Sequence, residues 1–185
     1  MKRRRFLTVT VGVMVLSAGL VVMTDSAGAA PKTKSESTPT QSWDENLPNP
    51  SRFTVLTNFG GAAVRDNETG LVWEQAPVPT PHTWSNARFQ CTGRATGGRK
   101  GWRLPSVHEL ASLIDPSVAS PGPTLPAGDP FTKIQSATYW SATTNAEHPT
   151  DAWFVFFGNG LVGVNGKSVT NLVWCVRGGM HAEQY

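Results

Sequence analysis

The strongest constraint on this 185-residue chain is its pair of cysteines, Cys91 and Cys175, the only two it has. In an oxidising compartment, two lone cysteines most simply close one disulfide. Any fold that does so must bring together positions 84 apart in sequence, with Cα atoms about 6 Å from each other. The competing reading is a catalytic thiol, which requires a nearby histidine and no oxidised partner.

The compartment follows from the N-terminus. Lys2, Arg3, Arg4 and Arg5 form a positive start, and Leu7 to Met23 is apolar apart from Thr8, Thr10, Ser17 and small glycines. Ala27-Gly28-Ala29 is a small-x-small cleavage site. Together these read as a secretory signal over residues 1–29, which implies export. Cleavage after Ala29 avoids leaving Pro31 at the first mature position. An uncleaved anchor is the alternative, and the interrupted apolar run sits at the short limit for a span. Arg3-Arg4-Arg5-Phe6-Leu7 also resembles the twin-arginine signal. Residues 30–50 hold Ser, Thr, Pro, Lys and Glu, with Trp43 and Leu47 as the only large apolar groups. That is too little apolar surface to offset ordering entropy, so the segment reads as a disordered linker. The domain is expected over residues 51–179, with a short tail at 180–185.

Charge must be read by position. The formal net charge is +3, yet four of the 16 basic residues lie in the first five positions, and only Asp25 is acidic in the first 29. Beyond residue 29, 12 bases face 12 acids. A nucleic-acid partner held by bulk charge is therefore not expected, nor is a membrane partner for the mature form.

Pattern gives the elements. Arg52 to Thr57, Ala62 to Arg65 and Leu71 to Trp73 read as short strands, with a turn at Asp66 to Gly70. Thr83 is placed to cap a helix from Trp84 to about Cys91, with Trp84, Ala87 and Cys91 on one face. Gly93, Gly97 and Gly98 stop it. Ser106 and Glu109 form a capping box that opens a second helix, which carries Val107, Leu110, Leu113 and Ile114 and closes at Asp115-Pro116. Ser117 to Pro130 is a long proline-rich loop. Strands follow at Thr138 to Ala142, Ala152 to Phe157 and Leu161 to Val164. A polar loop, Thr143 to Asp151, separates the first two. Asn165-Gly166 is a hairpin signal, and Val169 to Val176 is the last strand. Strands, two helices, then strands again make an α+β domain whose sheet faces two helices.

At these motifs the sequence resembles the Lcl C-terminal domain family, named after a bacterial collagen-like adhesin and long catalogued as a domain of unknown function. The resemblance rests on Asp66-Asn67-Glu68-Thr69-Gly70-Leu71-Val72-Trp73, Thr83-Trp84-Ser85-Asn86-Ala87 with Cys91, and Gly101-Trp102-Arg103-Leu104-Pro105-Ser106 with Glu109-Leu110. It continues through Tyr139-Trp140-Ser141, Ala152-Trp153 with Gly160, and Cys175-Val176-Arg177-Gly178-Gly179. It implies a C-type-lectin-like fold: two helices flanking a twisted antiparallel sheet, with the N- and C-terminal strands adjacent. The name-giving adhesin's domain binds sulfated glycosaminoglycans, so the resemblance also points toward an anionic glycan. The departures are specific. Calcium-dependent lectins of this fold carry Glu-Pro-Asn or Gln-Pro-Asp and Trp-Asn-Asp. Here the loop reads Glu147-His148-Pro149-Thr150-Asp151 and the last strand Val173-Trp174-Cys175. Asn145, Glu147 and Asp151 supply three oxygen-bearing side chains where calcium takes six to eight oxygens, so no metal or other cofactor is expected. The reactive cysteine pair of formylglycine-generating enzymes is not available, since both cysteines are assigned to the bridge. Gly-X-Y repeats are missing as well.

Catalytic signals are weak. His82, His108, His148 and His181 are scattered, and no hydrolase, P-loop or zinc spacing occurs. Trp73, Trp102, Trp140, Trp153 and Trp174 fall in strands or motif cores and read as buried anchors. Trp84 and Trp43 are the freer candidates for stacking on a sugar. The basic residues carry more. No acid lies between Glu74 and Glu109, and Arg88, Arg94, Arg99, Lys100 and Arg103 fall in that span. Thr92 to Gly101 is glycine-rich, which lets backbone N–H groups approach an anion, and arginine forks fit sulfate and carboxylate. Arg103 reads as a structural contact, leaving Arg88, Arg94, Arg99 and Lys100 as candidate binding residues. The expectation is an exported, non-enzymatic binding module for a sulfated or uronic glycan. The alternatives are a protein-interaction or surface-assembly domain using the loops Ser117 to Pro130 and Thr143 to Asp151, or a carbohydrate-active enzyme.

Overall fold

The computed structural model describes residues 52–178. The signal segment, the linker with Trp43, and the tail with His181 lie outside the described residues. Regular elements run in the order β1 (Phe53–Val55), a 3-10 turn (Thr57–Phe59), β2 (Ala63–Asp66), β3 (Val72–Glu74), β4 (His82–Thr83), α1 (Trp84–Gly93), a second 3-10 turn (Thr96–Gly98) and α2 (Val107–Ala111). Then come β5 (Thr138–Thr144), β6 (Asp151–Phe156), β7 (Leu161–Gly166), β8 (Thr170–Asn171) and β9 (Val176–Arg177). The class is α+β: antiparallel sheets with two helices.

The β structure is divided into three sheets, ordered β1-β2-β3-β9, β4-β8 and β5-β6-β7. The last strand joins the first sheet beside β3, at the edge opposite β1. The terminal strands therefore share a sheet without being neighbours, since β9 takes the outer edge of β3 while β1 pairs with β2 on the far side.

Each helix feeds its own core. α2 packs on β5 and β6 and places Val107 and Leu110 in a cluster with Trp73, Tyr139, Phe157 and Trp174. α1 packs on β4 and β5 and places Trp84, Ala87 and Cys91 with Trp102, Trp140 and Cys175. The expected apolar stripe of α1 is thus the one it buries. Four tryptophans, Trp73, Trp102, Trp140 and Trp174, are at most 2% exposed, which carries both cores well beyond what short strands could achieve alone. Their indole N–H groups are mostly used. Trp174 donates to the Glu74 carbonyl, Trp140 to His82 and Trp102 to Arg99, each at 2.8 or 2.9 Å.

α2 opens with the capping box: the Ser106 hydroxyl accepts from the Glu109 amide, and the Glu109 carboxylate accepts from the Ser106 amide. The helix ends at Ala111, with the Ser112 amide still donating to the His108 carbonyl, rather than at Asp115-Pro116, and Leu113 is carried into the core by the turns that follow. At α1, Thr83 occupies the N-cap position without a side-chain cap bond. The Lys167 carbonyl accepts from the Trp84 amide in the same region (3.1 Å), so a tertiary partner does part of the work expected of the hydroxyl.

Two further expectations are corrected. Asn165-Gly166 is no hairpin turn. Both residues pair across to β6, with Ala152 and Asp151, and Gly166 is not among the residues with positive φ, which a type I′ turn requires. A ladder of six residue pairs overrides the local preference. The last strand is broken, since the chain pairs with β4 at β8, bridges Tyr139 at Leu172, and reaches β3 only at β9. The proline-rich loop is pinned to the core. Thr124 exchanges backbone bonds with Asp115 and Phe157, and Thr124, Leu125 and Pro126 are buried.

β5 carries a register irregularity between Trp140 and Thr144. That stretch attaches both helices. The Ser141 carbonyl accepts from the Trp84 indole, the Ala142 amide donates to Pro105, and the Thr143 hydroxyl accepts from the Val107 amide.

Candidate functional site

The Cys91–Cys175 disulfide is present, with Cα atoms 5.4 Å apart and both residues fully buried. It joins the end of α1 to the segment entering β9. Around it the five bases of the acid-free stretch separate into distinct environments.

Arg103 is structural, as expected. Its guanidinium grips both Glu109 oxygens, at 2.8 and 2.6 Å, and also donates to the Gly178 carbonyl. The amide and carbonyl of Arg103 pair with Val176. Burial alone pushes the Glu109 carboxyl up, but the Arg103 fork, the Ser106 amide and the Arg103 charge outweigh it and hold the group below its ordinary value.

Arg94 is also committed. It sits just past α1 and turns inward, with Nε 3.4 Å from Glu74 Oε1. Glu74 is nearly buried and accepts as well from the Thr96 hydroxyl at 2.7 Å and the Cys175 amide at 3.4 Å. Arg94 therefore balances an internal carboxylate, and its charge is not offered to a ligand.

Arg88 lies exposed over the Trp84 ring at 4.9 Å, and the Lys167 ammonium approaches the same ring at 4.1 Å. Trp84 is 8% exposed and its indole is bonded inward. The ring is covered by cations and is not an open platform for a sugar. The Lys167 ammonium also donates to the Thr144 hydroxyl and the Pro149 carbonyl. A cation already serves the loop that holds Asn145, Glu147 and Asp151. Among the described residues, no group of three His, Cys, Asp or Glu is placed to hold a metal.

Arg99 and Lys100 remain exposed, and the fold adds partners to them. Arg99 stands over the Phe59 ring at 5.5 Å, and Arg177 over the same ring at 5.8 Å. The Arg99 carbonyl is fixed by the Trp102 indole, and the Lys100 ammonium rests on the Gly93 carbonyl at 3.3 Å. Strand register places Arg177 opposite Val72, Val72 opposite Arg65, and Arg65 opposite Thr54. Directly opposed residues share a face, so Arg65 and Arg177 project from the same side of the sheet. Among the described residues, Arg65, Arg99, Lys100 and Arg177 take part in no ion pair. Two guanidinium groups thus share one aromatic ring, and a third arginine, Arg65, projects from the same face of the sheet as Arg177.

Of the four candidate binding residues, then, the structure leaves Arg99 and Lys100 exposed, sets Arg88 apart with Lys167, and turns Arg94 inward. Sequence reasoning missed Arg65 and Arg177, which reach the site only through pairing of β2, β3 and β9. Arg177 sits within the motif Cys175-Val176-Arg177-Gly178-Gly179, but nothing local marks its direction.

No helix among the described residues is long and apolar enough to cross a membrane. No curated protein matches the chain. The family model for the Lcl C-terminal domain matches residues 62–177, a span from the start of β2 to the end of β9 that includes both cysteines. The chain belongs to that family.

Proposed function

We propose that this member of the Lcl C-terminal domain family is an exported, non-enzymatic binding module that recognises a sulfated or uronic glycan outside the cytoplasm. The supporting observation is that Arg99 and Arg177 share the Phe59 ring, and that Arg65, Arg99, Lys100 and Arg177 take part in no ion pair among the described residues. The fold belongs with C-type-lectin-like domains in this reading, with two helices, terminal strands in one sheet, and a disulfide that ties α1 to the segment entering β9. Export rests on residues 1–29, and a buried disulfide is in keeping with an oxidising compartment.

Heparin-column retention tests the reading. The protein should elute above a low-salt wash, and a combined Arg99→Ala, Lys100→Ala and Arg177→Ala variant should elute within it. Wild-type elution in the wash, or retention unchanged by the triple substitution, sinks the proposal.

A second reading has its own observation. β7 is an edge strand that exposes Leu161, Val162 and Val164. Beside it lies a groove of about 400 Å3 lined by Val107, His108, Ala111, Thr143, Trp153 and Val162. An uncharged edge next to an apolar groove suits a protein partner. Light scattering of wild type and Val162→Lys at increasing concentration tests this: a monomer at all concentrations removes self-assembly from it.

A further inference from the structure

α1 buries the stripe Trp84, Ala87 and Cys91, and this leaves Phe89 on the opposite side. Phe89 is 74% exposed, the highest value among the exposed large hydrophobic side chains of the described residues. A single exposed apolar residue is ordinary, but the surroundings of Phe89 are not. The ring stands between two shallow depressions and lines both. One, of about 320 Å3, is bounded by Trp84, Ser85, Arg88 and Thr92. The other, of about 240 Å3, is bounded by Gln90, Gly93, Arg94 and Ala95.

Each depression has a cation at its border. Arg88 lines the first. At the second, the Lys100 ammonium sits on the carbonyl of Gly93. Polar side chains flank the ring on both sides, Ser85 in one depression and Gln90 in the other. The arrangement is a flat apolar face between two positive charges, with hydroxyl and amide groups alongside. A bare polyanion, such as a phosphate chain, has no use for the apolar face. A polymer of sugar rings bearing acid groups uses every part of it. The C–H face of a pyranose lies on an aromatic ring, its hydroxyls meet Ser85 and Gln90, and acid groups on adjacent units reach Arg88 and Lys100.

We propose that Phe89 is the stacking platform for one sugar ring of the glycan, and that the chain runs along α1 from Arg88 to Lys100 and on to Arg99 and Arg177. This rests on the anionic-glycan reading above. It adds to that reading the residue that would hold the sugar ring itself, and it places the specificity in a residue that carries no charge.

The test compares three probes on the full chain by titration calorimetry: a heparin oligosaccharide, a hyaluronan oligosaccharide and inorganic polyphosphate. Phe89→Ala should weaken at least one oligosaccharide about tenfold, in line with the loss of one aromatic contact, and leave polyphosphate unchanged. Phe89→Trp should restore the oligosaccharide. The Arg99→Ala, Lys100→Ala, Arg177→Ala variant should weaken all the probes that bind. Because Phe89 is exposed, unchanged thermal unfolding of Phe89→Ala is expected and checks that the fold is intact. If Phe89→Ala binds every probe like wild type while the basic variant loses binding, the platform is wrong and the anionic reading stands. Equal weakening of oligosaccharide and polyphosphate also overturns the platform. If wild type binds no oligosaccharide, both proposals fall.

Discussion

Arg94 and Glu74 form an ion pair at 3.4 Å directly beside the disulfide. The Arg94 amide donates to the Cys91 carbonyl, and Glu74 accepts from the Cys175 amide. Charge and covalent bond therefore lock the same joint, α1 against the sheet. Breaking this partly buried pair leaves the nearly buried Glu74 charge without its partner, which costs roughly 2 kcal/mol. Arg94→Ala should lower unfolding stability by about that much and leave heparin retention unchanged. Arg99→Ala should do the reverse, with stability within about 0.5 kcal/mol of wild type and retention reduced. Adding Glu74→Gln to Arg94→Ala should recover part of the loss. Chemical denaturation and salt elution of the same samples decide it. A loss of retention in Arg94→Ala, with its stability intact, would return that residue to the binding site.

The disulfide closes a loop spanning 84 positions. The chain-entropy model assigns such a loop about 4.6 kcal/mol as an upper figure. The Cys91→Ser, Cys175→Ser variant should lose most of that in denaturant unfolding. Native protein without reductant should show no reactive thiol, because both cysteines are bonded and buried. One or two titrating thiols in the folded, unreduced protein would contradict this.

The Arg103–Glu109 pair contributes to the acid response. Glu109 is held below its ordinary value of 4.5, so the folded state binds fewer protons than the unfolded chain near that pH. The stabilisation is complete above the unfolded value and is lost as pH falls through the folded one. Asp115 shifts the same way, through the Ser117 hydroxyl and amide. Asp129 is raised by burial, against the Phe131 amide bond, and works in the opposite sense. Stability measured from pH 6 down to pH 3 should fall more steeply in wild type than in Glu109→Gln. The variant should start about 2 kcal/mol lower, since it loses the charge in the Arg103 fork. Parallel curves for the two proteins would remove Glu109 as the source.

What the sequence disclosed and what it hid differ by range. The capping box at Ser106 and Glu109 was legible because both partners lie within one turn. The stripe Trp84, Ala87 and Cys91 was legible because helical period alone defines it. The disulfide followed from having two cysteines and an N-terminus that reads as an export signal. Asn165-Gly166 misled because the same dipeptide serves a turn or a strand, and pairing with Asp151 and Ala152 decided for the strand. Arg94 misled because a run of bases looks like a patch until a distant carboxylate, Glu74, claims one of them. Arg65 and Arg177 stayed hidden because their common face depends on which edge of β3 the last strand takes. Phe89 could have been found, since it falls off the α1 stripe, but an aromatic in an amphipathic helix is read as core by default.

Gly97 offers the sharpest link between packing and the basic cluster. It sits in the second 3-10 turn at φ +61°, and a Cβ there would lie 2.6 Å from Phe59 Cβ and 2.8 Å from the Phe59 carbonyl oxygen. Part of that obstacle is backbone, so it cannot swing aside. Gly98, next to it, also has positive φ but faces open space. Gly98→Ala should therefore cost only the backbone term, about 1 kcal/mol, with heparin retention unchanged. Gly97→Ala should cost roughly 2–4 kcal/mol, the backbone term plus overpacking. It should also displace Phe59, the ring on which Arg99 and Arg177 are braced, and so lower retention although no charge is removed. If Gly97→Ala is destabilised but retained on heparin as firmly as wild type, Phe59 does not position the two arginines.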